Sequence, residues 1–345
     1  MPRFFLIALL ILLALGSPAA PAQVPRDGEI LSTAPWPALP AWDDLDDFTR
    51  AYFPRAVYEE ARSQTAFDVI DIRYASDGLS IRGMLIRPRS PPRERWPAII
   101  FNRGGTGDYG RIGNYGASCK EERDPCLYLV DLYLLAKAGF VIIASDYRFH
   151  GPTGKRDEWG GADVDDVMNL VPALHSLEIV DPERLYMLGQ SRGGTMTYIA
   201  LRRGAPVRAA AVIAGPADLR ADTHTFIHGD WFLNGNEWFD GAPQVWPDYE
   251  HRADELYRER SGARWASEIS VPLLILHSRT DKLVPVTQSL LMAIALQDAR
   301  KTYSLVIYDG DGHSLPKNRE DRTRRIAEWF DAFGAHGGSY LPATK

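Results

Sequence analysis

The run Leu185-Tyr186-Met187-Leu188-Gly189-Gln190-Ser191-Arg192-Gly193-Gly194-Thr195 joins a short apolar stretch to a helical pattern through a serine bracketed by glycines. Four apolar residues ending at a glycine suit a strand buried on both faces, and Thr195–Arg203 has the composition of a helix. A turn this tight forces Ser191 into a strained backbone. Side chains at positions 189 and 193 would collide with the neighbouring strand or helix. Strand, G-x-S-x-G and helix in that order form a nucleophile elbow, which presents a serine hydroxyl at the edge of a sheet. The alternative reading is an ordinary glycine-rich turn.

The alternation continues on both sides of the elbow. Phe67–Tyr74 and Ser80–Ile86 are rich in β-formers and flank Asp77-Gly78, a hairpin signal. Ala98–Phe101, Phe140–Ala144, Leu185–Leu188, Ala209–Ile213, Pro272–Leu276 and Ser304–Tyr308 read as buried strands. Helical patterns fill the gaps at Leu127–Ala138, Ala162–Leu177, Thr195–Arg203, Thr287–Leu296 and Asp321–Phe333. A hairpin followed by strand–helix alternation predicts an α/β domain over 66–335: a mostly parallel, eight-stranded sheet covered by helices on both faces. Residues 23–65 form a Pro-rich leader with short helices between Asp43 and Arg62, where Pro54 opens the second helix. Residues 217–266 interrupt the rhythm after the sixth strand and carry Trp231, Trp238, Trp246 and Tyr249. This insertion either packs its aromatics on the body or caps a pocket in which Trp231 and Trp238 touch substrate. Residues 336–345 are a tail.

Composition narrows the function classes. Of 345 residues, 45% are hydrophobic and 24% charged, with 2 Cys, which excludes a disordered chain and a disulfide scaffold. A net charge of −6 without a Lys/Arg cluster argues against nucleic acid or an anionic membrane as partner. Arg3 followed by the apolar run Phe4–Leu15 and by Ala20-Pro21-Ala22 reads as a signal peptide cut after Ala22, giving a secreted or periplasmic protein. The run is short for a membrane span, though an uncleaved anchor is the competing reading. Export would let Cys119 and Cys126 form a local bridge worth roughly 2–3 kcal/mol, the alternative being two buried thiols.

A serine hydroxyl needs a base, and the base an orienting acid. Asp281 follows the seventh expected strand in His277-Ser278-Arg279-Thr280-Asp281, and His313 follows the eighth in Asp309-Gly310-Asp311-Gly312-His313. The order Ser, acid, His, each at a strand's carboxyl end, is that of a triad on an open α/β sheet. Asp309 and Asp311 lie too near His313 in sequence to face its ring easily. An oxyanion hole is expected from the Arg192 N–H and from Gly104 or Gly105 in the loop Asn102-Arg103-Gly104-Gly105-Thr106. The Arg192 side chain is read as a structural ion pair in preference to a clamp on a substrate carboxylate. No His/Cys/Asp cluster has ligand spacing, so neither metal nor organic cofactor is implied.

With the Gly189–Gly194 elbow, Asp281 in a T-D-x-x-V-P context, His313 after a glycine, and Glu158-Trp159-Gly160-Gly161-Ala162-Asp163 before the elbow helix, residues 66–333 resemble the catalytic domain of the prolyl oligopeptidase family. The resemblance implies an α/β-hydrolase fold and a serine peptidase acting on a peptide or small-molecule substrate. Arg103 stands where that family more often has His or Tyr. About 43 residues between Ala22 and the first expected strand are too few for the family's N-terminal β-propeller. A carboxylesterase of small esters and a non-catalytic binding protein on the same fold are the rival expectations.

Overall fold

The computed structural model describes residues 24–45, 47–90, 94–105, 126–148, 158–219, 246 and 248–334. Their strands are β1 (Ile30–Pro35), β2 (Phe67–Ser76), β3 (Leu79–Pro88), β4 (Trp96–Asn102), β5 (Val141–Ser145), β6 (Val180–Gln190), β7 (Ala209–Ile213), β8 (Leu273–Ser278) and β9 (Tyr303–Tyr308). They form one sheet in the order β1-β2-β3-β5-β4-β6-β7-β8-β9. β1, β2 and β3 are antiparallel, as is β3 against β5, and every pair from β5 to β9 is parallel. This is the α/β-hydrolase fold. Asp77 and Gly78 close the β2–β3 hairpin with φ of 49° and 75°, the pair of positive values that a type I′ turn requires.

The helices are α1 (Asp47–Tyr52), α2 (Arg55–Ser63), α3 (Cys126–Lys137), α4 (Asp163–Met168), α5 (Leu170–His175), α6 (Arg192–Arg202), α7 (Tyr249–Glu259), α8 (Thr287–Asp298) and α9 (Arg319–Gly334). Alternation along the buried strands feeds two cores. Ile99, Phe101, Ile142, Ala144 and Leu188 meet α3 and α9 through Leu132, Tyr133, Trp329 and Phe330. Ala98, Ile100, Val141, Ile143 and Met187 meet the opposite layer through Val164, Leu170, Leu174, Met196 and Met292.

Three features differ from the sequence reading. The sheet has nine strands, not eight, because leader residues Ile30–Pro35 pair with β2. That stretch is almost wholly exposed and ends in proline, so no apolar run marks it. As an edge strand it needs partners on one side only, where proline is tolerated. The aromatic-rich insertion accordingly follows the seventh strand. Finally, Ala162–Leu177 is two helices that break at Asn169. Pro172 has no N–H to give the Met168 carbonyl.

The leader is not peripheral. Trp36, Leu39, Leu45, Phe53, Tyr58 and Ala61 are buried in the α3/α9 core. Pro54 is the extended residue just before α2. Of the insertion, Trp246 lies edge-on to Tyr257 at 5.0 Å and beneath the Arg260 guanidinium at 4.8 Å, in a small cluster with Trp159, Leu219, Leu256 and Val284. Trp246 thus follows the packing reading. Trp231, Trp238, Cys119, the Cys126 side chain, residues 1–22 and the tail 336–345 lie outside the described residues.

Tyr58 is fully buried and donates its hydroxyl to the Pro40 carbonyl at 3.0 Å. Tyr58→Ala should lower unfolding free energy by about 3–5 kcal/mol in urea titrations, against less than about 1 kcal/mol for Leu31→Ala on the exposed edge. Equal effects would show that the leader does not belong to the cooperative core.

Candidate active site

β6 passes into α6 through Ser191, whose backbone sits at φ 56°, ψ −129°, a region that residues other than glycine rarely enter. The surroundings impose it. The Ser191 N–H donates to the Ile213 carbonyl at 2.8 Å, and its own carbonyl accepts the Gly194 N–H at 2.8 Å. A Cβ on Gly193 would stand 1.8 Å from the Asn102 carbonyl oxygen, and one on Gly189 would stand 2.2 Å from the Gly193 oxygen. The Thr197 hydroxyl donates to the Gly193 carbonyl and accepts from Asn102 Nδ2, each at 2.8 Å, which ties α6 to the end of β4. β4 lies between β5 and β6, where the connections diverge, so the elbow occupies the switch point of the sheet.

Asp281 follows β8, and its side chain is fully shielded. Oδ2 accepts from His313 Nδ1 at 2.7 Å and from His277 Nε2 at 3.1 Å, while Oδ1 accepts the N–H groups of Leu283 at 2.8 Å and Val284 at 3.1 Å. Burial pushes this carboxyl upward, but His313 and His277 outweigh it and hold it well below the ordinary carboxylate range. His277 Nε2 also faces the Val284 carbonyl at 2.9 Å. With two acceptors before it, that nitrogen carries the proton, and Nδ1 accepts from Ser289 Oγ at 2.7 Å. His313 gives Nδ1–H to Asp281, so its neutral ring keeps the Nε2 lone pair for a proton.

The rival acids are engaged elsewhere. Asp309 is exposed and pairs with Arg279 at 2.6 Å. Asp311 accepts the N–H groups of Gly312 (2.8 Å), Lys317 (3.1 Å) and Asn318 (3.0 Å), which shapes the loop carrying His313. Its carbonyl accepts Ser278 Oγ at 2.6 Å, fixing that loop to β8.

The loop after β4 is braced by charge. Arg103 is fully buried and donates to the Gly104 and Asp146 carbonyls at 2.9 and 3.0 Å. The Arg103 and Arg192 guanidiniums both lie over the Tyr147 ring, 4.7 and 5.1 Å from its centre, and Tyr147 donates its hydroxyl to the Arg103 carbonyl at 3.2 Å. The Arg192 side chain pairs with fully buried Asp163 and donates to the Gly105 carbonyl at 3.1 Å, as the structural reading expects. Its backbone N–H lies in the first turn of α6, which offers it no intrahelical carbonyl.

Sequence reasoning missed two side chains. The Gly104 N–H donates to the Tyr128 hydroxyl at 3.0 Å, so that amide reaches a new oxygen only by exchanging this bond. Tyr128 Oη and Ser191 Cβ are 2.7 and 2.9 Å from the point where Gly104 would bear a Cβ, which places the hydroxyl beside the elbow. Tyr128 opens an apolar helix and reads as a core aromatic. His277 was visible as a histidine four residues before the acid at a strand end, a spacing that lets it share that carboxylate. Among the described residues no group of three or more His, Cys, Asp or Glu is placed to hold a metal.

Two outcomes follow from this geometry. Gly193→Ala must displace the Asn102 backbone and should lower stability by about 1–3 kcal/mol together with activity, read from melting and turnover. Because folding depresses the Asp281 pKa, its contribution is complete above about pH 4 and is lost as pH falls toward the folded value. Asp281→Asn should therefore be less stable than the parent at pH 7, with the gap in urea midpoints narrowing below about pH 4. A gap independent of pH would refute the electrostatic origin.

The sequence and the fold have counterparts among known proteins. The uncharacterized peptidase YuxL of Bacillus subtilis is 28% identical over 283 residues, 76% of this chain and 38% of that protein. The uncharacterized peptidase YtmA of the same organism is 23% identical over 267 residues, 75% of this chain and 91% of that protein. The Pyrococcus horikoshii acylaminoacyl peptidase structure superposes with a TM-score of 0.63 at 24% identity, covering 80% of this chain and 44% of that one. The chain thus spans less than half the length of YuxL and of the acylaminoacyl peptidase. The profile of the prolyl oligopeptidase family (Peptidase_S9) matches residues 128–336, more than half the chain, running from the third residue of α3 through the elbow and past α9; the chain belongs to the prolyl oligopeptidase family.

Proposed function

We propose that this protein is a serine peptidase that cleaves an amide bond through an acyl-enzyme on Ser191. The observation that carries the reading is the 2.7 Å contact between Asp281 Oδ2 and His313 Nδ1, at the same sheet edge as a serine held in a strained elbow. Ser191 Oγ attacks the substrate carbonyl while His313 Nε2 takes its proton. Asp281 keeps the imidazole in the required tautomer and stabilises the imidazolium. The oxygen that gains charge meets the Arg192 N–H and the donors of the 103–105 loop, with the Tyr128 hydroxyl alongside. Collapse expels the amine, protonated by His313. Water then enters along the same path, His313 takes its proton, and the acid is released from Ser191.

Amide cleavage is preferred over ester cleavage because YuxL, YtmA and the Pyrococcus protein are named as peptidases. Export to a periplasmic or extracellular site rests on Phe4–Leu15 and the Ala20-Pro21-Ala22 pattern.

Ser191→Ala should abolish labelling by a fluorophosphonate probe, and persistent labelling would mean another nucleophile. Asp281→Asn should lower kcat by about 10⁴-fold, as loss of the orienting acid does in serine proteases. Short peptide amides and p-nitrophenyl esters, assayed side by side, decide the substrate class: turnover of esters alone would sink the peptidase reading and leave a carboxylesterase. Ligand binding without turnover of either would identify a binding protein.

A further inference from the structure

Gln190 immediately precedes Ser191, and Ser314 immediately follows His313. Their side chains meet: Gln190 Nε2 donates to Ser314 Oγ at 2.6 Å, across 124 residues of chain. Gln190 is the last residue of β6 and 6% exposed, so its end of this bond is fixed by the sheet. The other end is held from behind. The Ser314 carbonyl accepts from Arg322 Nη1 on α9, and Arg322 pairs with Asp131 on α3. Arg319 Nε donates to the same carboxylate at 2.7 Å, and its Nη1 reaches the Tyr52 carbonyl of α1 at 3.0 Å. The Arg319 guanidinium also lies 4.9 and 4.7 Å from the ring centres of Tyr52 and Phe53.

Asp311 ties the first half of the loop that carries His313 to β8 through Ser278, which leaves the stretch around His313 and Ser314 to be held from elsewhere. Gly310 and Leu315 take φ of 66° and 55°, and Gly312 adds a further joint beside His313. The bond to Asp281 fixes the direction of Nδ1 but leaves the ring able to swing about that contact. A second, polar restraint beside His313, made to the residue beside the nucleophile, couples the two halves of the site directly.

We propose that the Gln190–Ser314 hydrogen bond is a clasp that sets the separation of His313 Nε2 from Ser191 Oγ, which makes Gln190 and Ser314 positioning residues for proton transfer. The inference rests on the proposed roles of Ser191 and His313. A misplacement of about 1 Å between reacting groups costs on the order of 100-fold in rate. Substrate contacts outside the clasp are untouched, so the loss falls on kcat.

The test uses the full chain with Gln190→Met (similar length, no donor), Ser314→Ala, their combination, and Ser314→Thr, which keeps a hydroxyl. Each single change should slow fluorophosphonate labelling of Ser191 and lower kcat for p-nitrophenyl acetate by about 10–100-fold, with KM within about twofold. Ser314→Ala also removes the hydrogen bond between Ser314 and the Tyr52 hydroxyl, so it should be the slower single. The double variant should be no worse than it, because Gln190→Met removes a bond already lost. Ser314→Thr should restore the rate to within about threefold of the parent. Multiplying effects in the double variant, losses that follow Tm, or changes below about twofold would overturn the clasp. An unlabelled parent protein removes the hydrolase reading and the clasp with it, whereas a labelled parent with unimpaired variants removes the clasp alone.

Discussion

Gly193 approaches the Asn102 carbonyl so closely that no side chain fits between them, and the site depends on that approach. Because α6 must start there, the chain leaving β6 has a single residue in which to reverse, and Ser191 takes up the change at φ 56°. The cost, of order 1–3 kcal/mol for a non-glycine residue in such a conformation, is borne by contacts on both sides of the turn. β6 continues its ladder through the Ser191 N–H, and Thr197 sews the first turn of the helix to Asn102. The same approach brings the 103–105 loop beside the serine, so nucleophile and candidate oxyanion donors are placed by one packing event.

Charge is handled in the same spirit. Around the elbow stand Asp281 with two histidines, Asp163 with Arg192, Asp146 near Arg103, and Asp131 with Arg319 and Arg322. Paired buried ions contribute little net stability, since desolvation offsets their attraction, but removing one partner is costly. Their effect here is geometric. All but His277–Asp281 join elements distant in sequence, and Arg103, Arg192 and Arg322 each go on to donate to a backbone carbonyl of a loop at the site, those of Gly104, Gly105 and Ser314. Arg192 shows both ends of this: its backbone opens α6 directly after Ser191, while its side chain braces Gly105 in the loop opposite.

How much was legible depended on how far each signal was local. The elbow could be read because Gly189, Ser191 and Gly193 are neighbours and the adjacent strand is apolar. The parallel strands could be read because burial on both faces leaves continuous apolar runs such as Val141–Ala144 and Ala209–Ile213. β1 was hidden because an edge strand with exposed faces leaves no hydrophobic pattern. The break at Asn169 was available in Pro172 but masked by the apolar residues around it. Asp281 and His313 emerged only as residues in the right order. Asp309 and Asp311 could be set aside by their nearness to His313 in sequence, whereas the partners that engage them instead are supplied by the tertiary fold. Tyr128 and the pairing of Gln190 with Ser314 had no local signature, because both ends of each contact look ordinary in sequence.

The leader extends this argument beyond the family match, which begins at residue 128. Phe53 and Tyr58 fill the core beneath α3, while the Tyr52 carbonyl and ring receive Arg319, the residue that shares Asp131 with Arg322. Through Arg322 this network reaches the Ser314 carbonyl, one residue from His313. A chain lacking this leader would leave the apolar face of α3 uncovered and one side of Arg319 without its carbonyl. The N-terminal segment therefore bears on two scales at once, burying apolar area that the domain needs and supporting the helix from which the histidine loop is held.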